Sequence, residues 1–292
     1  MCAQVNRAMI KKLVSDGIAP GETLVAPQVF SQAAQIENLP LEMFIGNETK
    51  IPLALEKLQA HLKLGCMFSA IANDLTDTTL KVSLETLNRL RKRFRDSQII
   101  GLVVPGPFTA GGGKGASDWN DSSWNDALDA GADRLNYVLR TYCEQDPDFI
   151  IVREEELPTG LPEFWPQWQD VMEGLGNIIS YYQVLPIVMA ENGHLIEISL
   201  ALNECPGFVP TFHQESVPAM QAQGILAQRP WALALDSEFP DRQQGQDARV
   251  MDTLSVEDRR NLVMITTDRE IPHNMSVGIL PELVQRMKSL VS

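Results

Sequence analysis

The sequence predicts a single (β/α)8 barrel spanning residues 1–292. Three observations carry that prediction: a length that suits one such barrel, eight short apolar segments rich in β-formers, and helical patterns between them. A barrel of this type takes roughly 250 residues, so one domain uses nearly the whole chain. The strand segments are TLVAPQVF (23–30), CMFSAIA (66–72), IIGLVVP (99–105), DFIIVRE (148–154), VLPIVMA (184–190), GFVPTFH (207–213), WALALD (231–236) and LVMITTD (262–268). Several are continuous apolar runs, as strands covered on both faces by a parallel fold should be. Helical spacing marks SLETLNRLRKRFRD (83–96), with Leu84, Leu87 and Leu90 on one face, WNDALDAGADRLNYVLRTYCEQ (124–145), and PELVQRMKSLVS (281–292), where Pro281 suits a first turn. No Gly/Ser-rich or Pro-rich linker divides the chain. The polar stretch DSEFPDRQQGQDARVMDTLS reads as a long loop, leaving only a short helix at 254–261 before the last strand.

A formal net charge of -14 sets the surface against nucleic acid and anionic membranes. No apolar run approaches the roughly 20 residues that span a bilayer. The opening MCAQVNRAMIKKLVSDG mixes charge into its apolar positions and has no signal-peptide core, so a cytoplasmic location is expected. Cys2, Cys66, Cys143 and Cys205 form no CxxC pair and read as buried free thiols.

Barrel sites sit at the C-terminal ends of the strands. In this chain those positions hold Asn73, Asp74 and Asp77 after the second strand, Arg153 with Glu154, Glu155 and Glu156 after the fourth, and Glu191, Asn192 and His194 after the fifth. His213, Gln214 and Glu215 follow the sixth, Asp236 and Glu238 the seventh, and Asp268, Arg269 and Glu270 the eighth. This acidic mouth suits a cation, a metal ion or proton transfer, because clustered carboxylates raise one another's pKa. Arg153 and Arg269 are placed to fix a substrate carboxylate. His213 is the expected proton shuttle, its ordinary pKa lying nearest neutrality. Glu191, Glu215 and Asp268 are the candidate metal ligands, although no HxH or HExxH spacing is present. His61 reads as a helix-surface residue, and His273 lies in a loop. The GGGKG run at 111–115 is not a phosphate-binding loop: that pattern needs Gly at 108, where Phe108 stands, and Ser or Thr at 115, where Gly115 stands. A lid over the mouth is the expected role.

Several segments, in order, resemble the uroporphyrinogen decarboxylase superfamily in its corrinoid-linked methyltransferase branch. They are VAPQVFSQAAQIENLPLEMF (25–44), VVPGPFTAGG (103–112), DFIIVREEELP (148–158), ALALDSEFP (232–240) and MITTDREIPHNMSVGILPELVQRM (264–287). The resemblance implies a (β/α)8 barrel and adds Gln28 and Thr109 to the expected substrate-binding residues, with Arg153, Asn192, Asp236 and Arg269. The chain departs from both known branches. The decarboxylases' Met-Arg-Gln-Ala-Gly-Arg motif is replaced by QVFSQAA (28–34), which has no arginine. An acidic mouth also opposes a substrate with many carboxylates. The methyltransferases' zinc set, His-x-Cys after strand five and Cys after strand eight, is matched by Ala190, Asn192 and Asp268, so the soft ligands are gone.

The leading expectation is a methyltransferase-like enzyme acting with a corrinoid or folate methyl carrier, its catalytic residues being Asp74, Glu154, Glu156, His213 and Asp268. A divalent metal is the alternative cofactor, held by harder, carboxylate ligands. A corrinoid protein is the candidate partner, and the chain is expected as a monomer or homodimer. The alternatives are a decarboxylase-type lyase, with Arg153 or Arg269 holding the carboxylate and Asp74 protonating the carbanion, and a non-catalytic carrier-binding or partner subunit.

Overall fold

The computed structural model describes residues 5–72, 74–113, 123–237 and 251–291. Eight strands form the barrel wall: β1 (Leu24–Ala26), β2 (Cys66–Ile71), β3 (Ile99–Pro105), β4 (Phe149–Glu154), β5 (Leu185–Ala190), β6 (Val209–His213), β7 (Trp231–Leu235) and β8 (Leu262–Thr267). All paired strands are parallel, in the order β1-β8-β7-β6-β5-β4-β3-β2. The barrel is nearly closed: β1 and β2 meet at the seam, where the Cys66 thiol lies 3.7 Å from the Val25 carbonyl. Every residue of these eight strands is buried, which is why their sequences read as apolar runs rather than alternations.

The described helices are α1 (Arg7–Asp16), α2 (Ala33–Ile36), α3 (Leu41–Ile45), α4 (Lys50–Leu62), α5 (Asp77–Phe94), α6 (Pro107–Ala110), α7 (Ser123–Cys143), α8 (Phe164–Tyr181), α9 (Ile196–Glu204), α10 (Val217–Ala222), α11 (Val256–Asn261) and α12 (Leu280–Ser289). Among them no helix is long and apolar enough to cross a membrane. α11 is as short as expected. Ser255 and Asp258 cap it reciprocally, and the Trp231 indole of β7 donates to the Asp258 carbonyl at 3.0 Å. Most of the polar stretch before α11 lies outside the described residues.

The two largest shifts of a boundary from expectation have local reasons. β1 ends at Ala26 rather than at 30, because the chain turns at Pro27, whose carbonyl accepts from Val29 N at 2.9 Å. α5 starts six residues early, at Asp77, because Thr76 caps it by accepting from Thr79 N.

At the N-terminal face of the barrel α1 is held through a hub centred on buried Arg7 and Asp148. Arg7 donates to Asp148 at 2.5 Å, to Asp96 at 2.6 Å and to Asp146 at 2.6 Å, and Arg91 reaches the other Asp148 oxygen at 2.8 Å. Cys66, Cys143 and Cys205 are free and buried, and burial pushes the Cys143 thiol up to about 12. Cys2 lies outside the described residues.

Candidate active site at the C-terminal face

Strand alternation decides which end-of-strand residues face the lumen. In β4, Phe149, Ile151 and Arg153 lie on one face, and Ile150, Val152 and Glu154 on the other. Arg153 bonds to Gln28 of the β1 loop, and Glu154 to Trp168 of α8. Odd-numbered residues of β4 therefore face the lumen, and even-numbered ones the helical layer. Register carries the lumen face across the barrel. Arg153 pairs with Met189 of β5, and His213 of β6 lies in one row with Ala234, Thr266 and Ala26.

At the mouth, Arg153 donates to Gln28 Oε1 at 3.3 Å, and its Nε stands 3.6 Å from Glu191. Gln28, fully buried, donates to the Thr267 carbonyl at 2.6 Å and touches the Met189 sulfur at 3.8 Å, bridging β1, β8, β5 and β4. Burial raises the Glu191 carboxyl, while Arg153 and then Arg269 pull it down. Burial likewise raises Glu270, which accepts from Ser31 N at 2.6 Å and feels the Arg153 charge. Asp268 accepts from Ser237 N at 2.8 Å, and Arg269 donates to the Ser237 hydroxyl at 3.1 Å with its Nε 3.9 Å from Asp268. Asp236 is half-buried beside Ser237.

His213 is 5% exposed, and its Nε2 lies 2.9 Å from the Ala190 carbonyl. Burial holds its pKa below the ordinary 6.5, with the Ala190 carbonyl, Asp268 and Glu215 pulling upward and His194 adding to the drop. A depressed folded pKa contributes stability that is fully present above the unfolded value and lost as pH falls through the folded one. Urea unfolding between about pH 7 and about pH 5 should show the wild type losing stability relative to H213Q; parallel curves would contradict the depressed pKa.

In this row the hydroxyl of Thr266, and one layer below it that of Thr211, are fully buried without a hydrogen-bond partner. Only small side chains, Ala232 and Ala234 of β7, lie between their strands in the register. Buried hydroxyls are ordinarily hydrogen-bonded, so these two stand out among the described residues of the barrel interior.

Other expected site residues have structural work instead. Glu154 faces away from the mouth. It is fully buried and accepts from Phe108 N (3.1 Å), Thr109 N (2.8 Å), the Thr109 hydroxyl (2.6 Å) and the Trp168 indole (3.0 Å). Burial raises its pKa and all four donors oppose the rise. Thr109 is consumed by the same cluster, its hydroxyl also accepting from Glu155 N at 2.9 Å. Asn192 clamps Leu157, accepting from its N at 3.2 Å and donating to its carbonyl at 2.8 Å. Asp74 is exposed and accepts from Thr76 N and the Thr76 hydroxyl at 3.0 Å each. The backbone bond from Thr76, foremost, holds its pKa below the ordinary range, so it is a turn residue and not a proton donor near neutrality. Glu156 and Glu215 are exposed.

Among the described residues, no three His, Cys, Asp or Glu side chains are placed to hold a metal ion, so Glu191, Glu215 and Asp268 do not assemble as ligands. The zinc centre that the resemblance implies does not fit here either: Asn192 is spent on Leu157, and one Asp268 oxygen on Ser237 N. His61 and His273 are exposed, as expected for surface positions. In the GGGKG run, Gly111 packs so closely on α7 that a Cβ would stand 1.7 Å from the Ala127 carbonyl; from Lys114 onward the expected lid lies outside the described residues. Lys114, Gly115, Asn73 and Glu238 lie outside the described residues. Gly193, Ser237, Thr211 and Thr266 carried no local sequence signal for this site. Clefts of about 420 and 550 Å³, lined by Arg7 and Gln98 and by Glu22 and Arg259, lie at the opposite face.

No protein-family model matches this sequence, and no curated protein matches it. Solved structures do match in fold. A methyltransferase from Methanosarcina mazei superposes with TM-score 0.70 at 11% identity, covering 98% of each chain. A protein from Listeria monocytogenes assigned as a vitamin-B12-independent methionine synthase gives 0.59 at 10% identity, covering 93% of this chain and 98% of that one. A D-tagatose 3-epimerase-like protein gives 0.56 at 13% identity, covering 92% and 98%. At such identities the likeness establishes the (β/α)8 barrel, a fold shared by many chemistries.

Proposed function

We propose that this protein is a one-carbon transferase that passes a methyl group from a methylated corrinoid or folate to a small acceptor bound at the barrel mouth. The observation that carries the reading is the end-to-end superposition on the Methanosarcina mazei methyltransferase. The methionine synthase-like structure supports it independently. His213, neutral and buried, serves as proton acceptor for the incoming nucleophile. Arg153, held by Gln28 and Glu191, positions an anionic part of a reactant. Asp268, oriented by Ser237 N, faces His213 and stabilises the cation that forms as His213 takes the proton. The test is anaerobic incubation with methylcobalamin or methyltetrahydrofolate and a panel of thiols, amines and alcohols, with products read by mass spectrometry. Methylated acceptor is the expected result. No methyl loss from either carrier would sink the proposal.

A second reading, decarboxylation of a small acid, draws on the Arg153–Glu191 pair. Arg153 would hold the carboxylate, and Glu191, with its raised pKa, takes the proton-donor role first expected of Asp74. Release of carbon dioxide from a small acid, lost in R153M, would favour it.

A further inference from the structure

His213 rests against the backbone of Gly193. A Cβ at that position would stand 2.8 Å from His213 Cδ2, 3.1 Å from Nε2 and 2.8 Å from the Ala190 carbonyl oxygen. That same carbonyl accepts from Gly193 N at 3.0 Å and lies 2.9 Å from His213 Nε2. A carbonyl only accepts, so Nε2 carries the hydrogen. The lone pair of the neutral ring is then on Nδ1, in a residue that is 5% exposed. The charged and titratable groups around the ring are Asp268 at the end of β8, Glu215 on the loop after β6, and His194, whose ring centre is 6.2 Å away. The partnerless hydroxyls of Thr211, two residues back on the same strand face, and of Thr266, in the same row as His213, lie in the barrel interior nearby.

We propose that Gly193 is a positioning residue that fixes His213 as its Nε2–H tautomer, and that the mouth takes a substrate bearing hydrogen on nitrogen, oxygen or sulfur, which donates to His213 Nδ1. Its catalytic meaning rests on the methyl-transfer reading. The X–H proton passes to Nδ1 as the X–C bond forms, and the electron pair of the breaking bond leaves with the carrier. Gly193 is thus required by close approach, since any side chain there pushes the imidazole off the Ala190 carbonyl.

The experiment is nitrogen-15 NMR of the full chain labelled at histidine, above neutral pH. In the wild type, His213 should show a protonated Nε2 and an unprotonated Nδ1. In G193A the two nitrogens should move toward averaged shifts as the tautomer is released. Ethanethiol, ethylamine and ethanol, added singly, are the probes: at least one should shift Nδ1, whereas ethyl methyl sulfide should not. An Nδ1–H tautomer in the wild type, unchanged shifts in G193A, or equal responses to ethanethiol and ethyl methyl sulfide would each overturn the proposal. The wild-type tautomer is decisive even where G193A does not fold. Because the tautomer is read without a methyl carrier, failure of methyl transfer leaves this assignment intact, and the reverse also holds.

Discussion

Replacing Glu154 by alanine is expected to destabilise the protein by about 3–5 kcal/mol while leaving the mouth chemistry in place. The carboxylate sits at the end of β4 behind the barrel wall. It gathers the Phe108 and Thr109 backbone donors of α6, the Thr109 hydroxyl and the Trp168 indole of α8. Alanine takes the shared acceptor away from these donors, two of which belong to fully buried Phe108 and Trp168, and leaves a void beside the tryptophan. E154Q keeps one accepting oxygen and turns its amide toward donors, so its cost is expected to be intermediate. The urea midpoint should fall at constant slope. Turnover per folded molecule, measured at low temperature, should persist. Turnover lost with the midpoint unmoved would instead make Glu154 part of the chemistry.

Asp148, at the other end of the same strand, should show a loss of similar size. D148A is expected to cost about 3–5 kcal/mol, because it strips the shared partner from two guanidinium groups. Arg7 and Arg91 each donate to one Asp148 oxygen, and Ile100 N donates to the second at 2.8 Å. Arg7 keeps Asp96 and Asp146, which are more exposed and screened. The damage should therefore concentrate on α1. Hydrogen exchange of residues 7–16 should accelerate in D148A ahead of the barrel strands, with mouth chemistry untouched. Uniform acceleration across the strands would contradict this picture of a local clasp.

β4 also shows what the sequence could and could not convey. Its eight-strand pattern is legible because a parallel barrel buries both faces of every strand, so the apolar runs stand out. Direction at the strand end was legible too, through alternation: Arg153 shares its face with Ile151 and Glu154 with Val152. Reading Arg153 to Glu156 as one acidic mouth merges a lumen residue with a helix-layer residue and two exposed ones. Asp74 carried a local sign of its role, standing two residues before the cap Thr76, as turn aspartates do. Asn192 gave no such sign, because its two bonds reach Leu157, thirty-five residues away along the chain. The same limit hid Gly193: the ring that requires a glycine there arrives from the next strand. Long-range pairing, rather than composition, decides which polar residues at a barrel rim are committed to holding loops.

The central claim is that chemistry at this mouth runs through His213 rather than through the carboxylates of the β4 loop. Anaerobic methyl transfer by wild type, H213Q and E154Q, each with its unfolding midpoint, tests it most directly. Transfer by the wild type, a fall of about 10²–10⁴-fold in H213Q at an unmoved midpoint, and retained turnover in folded E154Q are predicted. H213Q as active as the wild type, or E154Q folded and inactive, would contradict the claim.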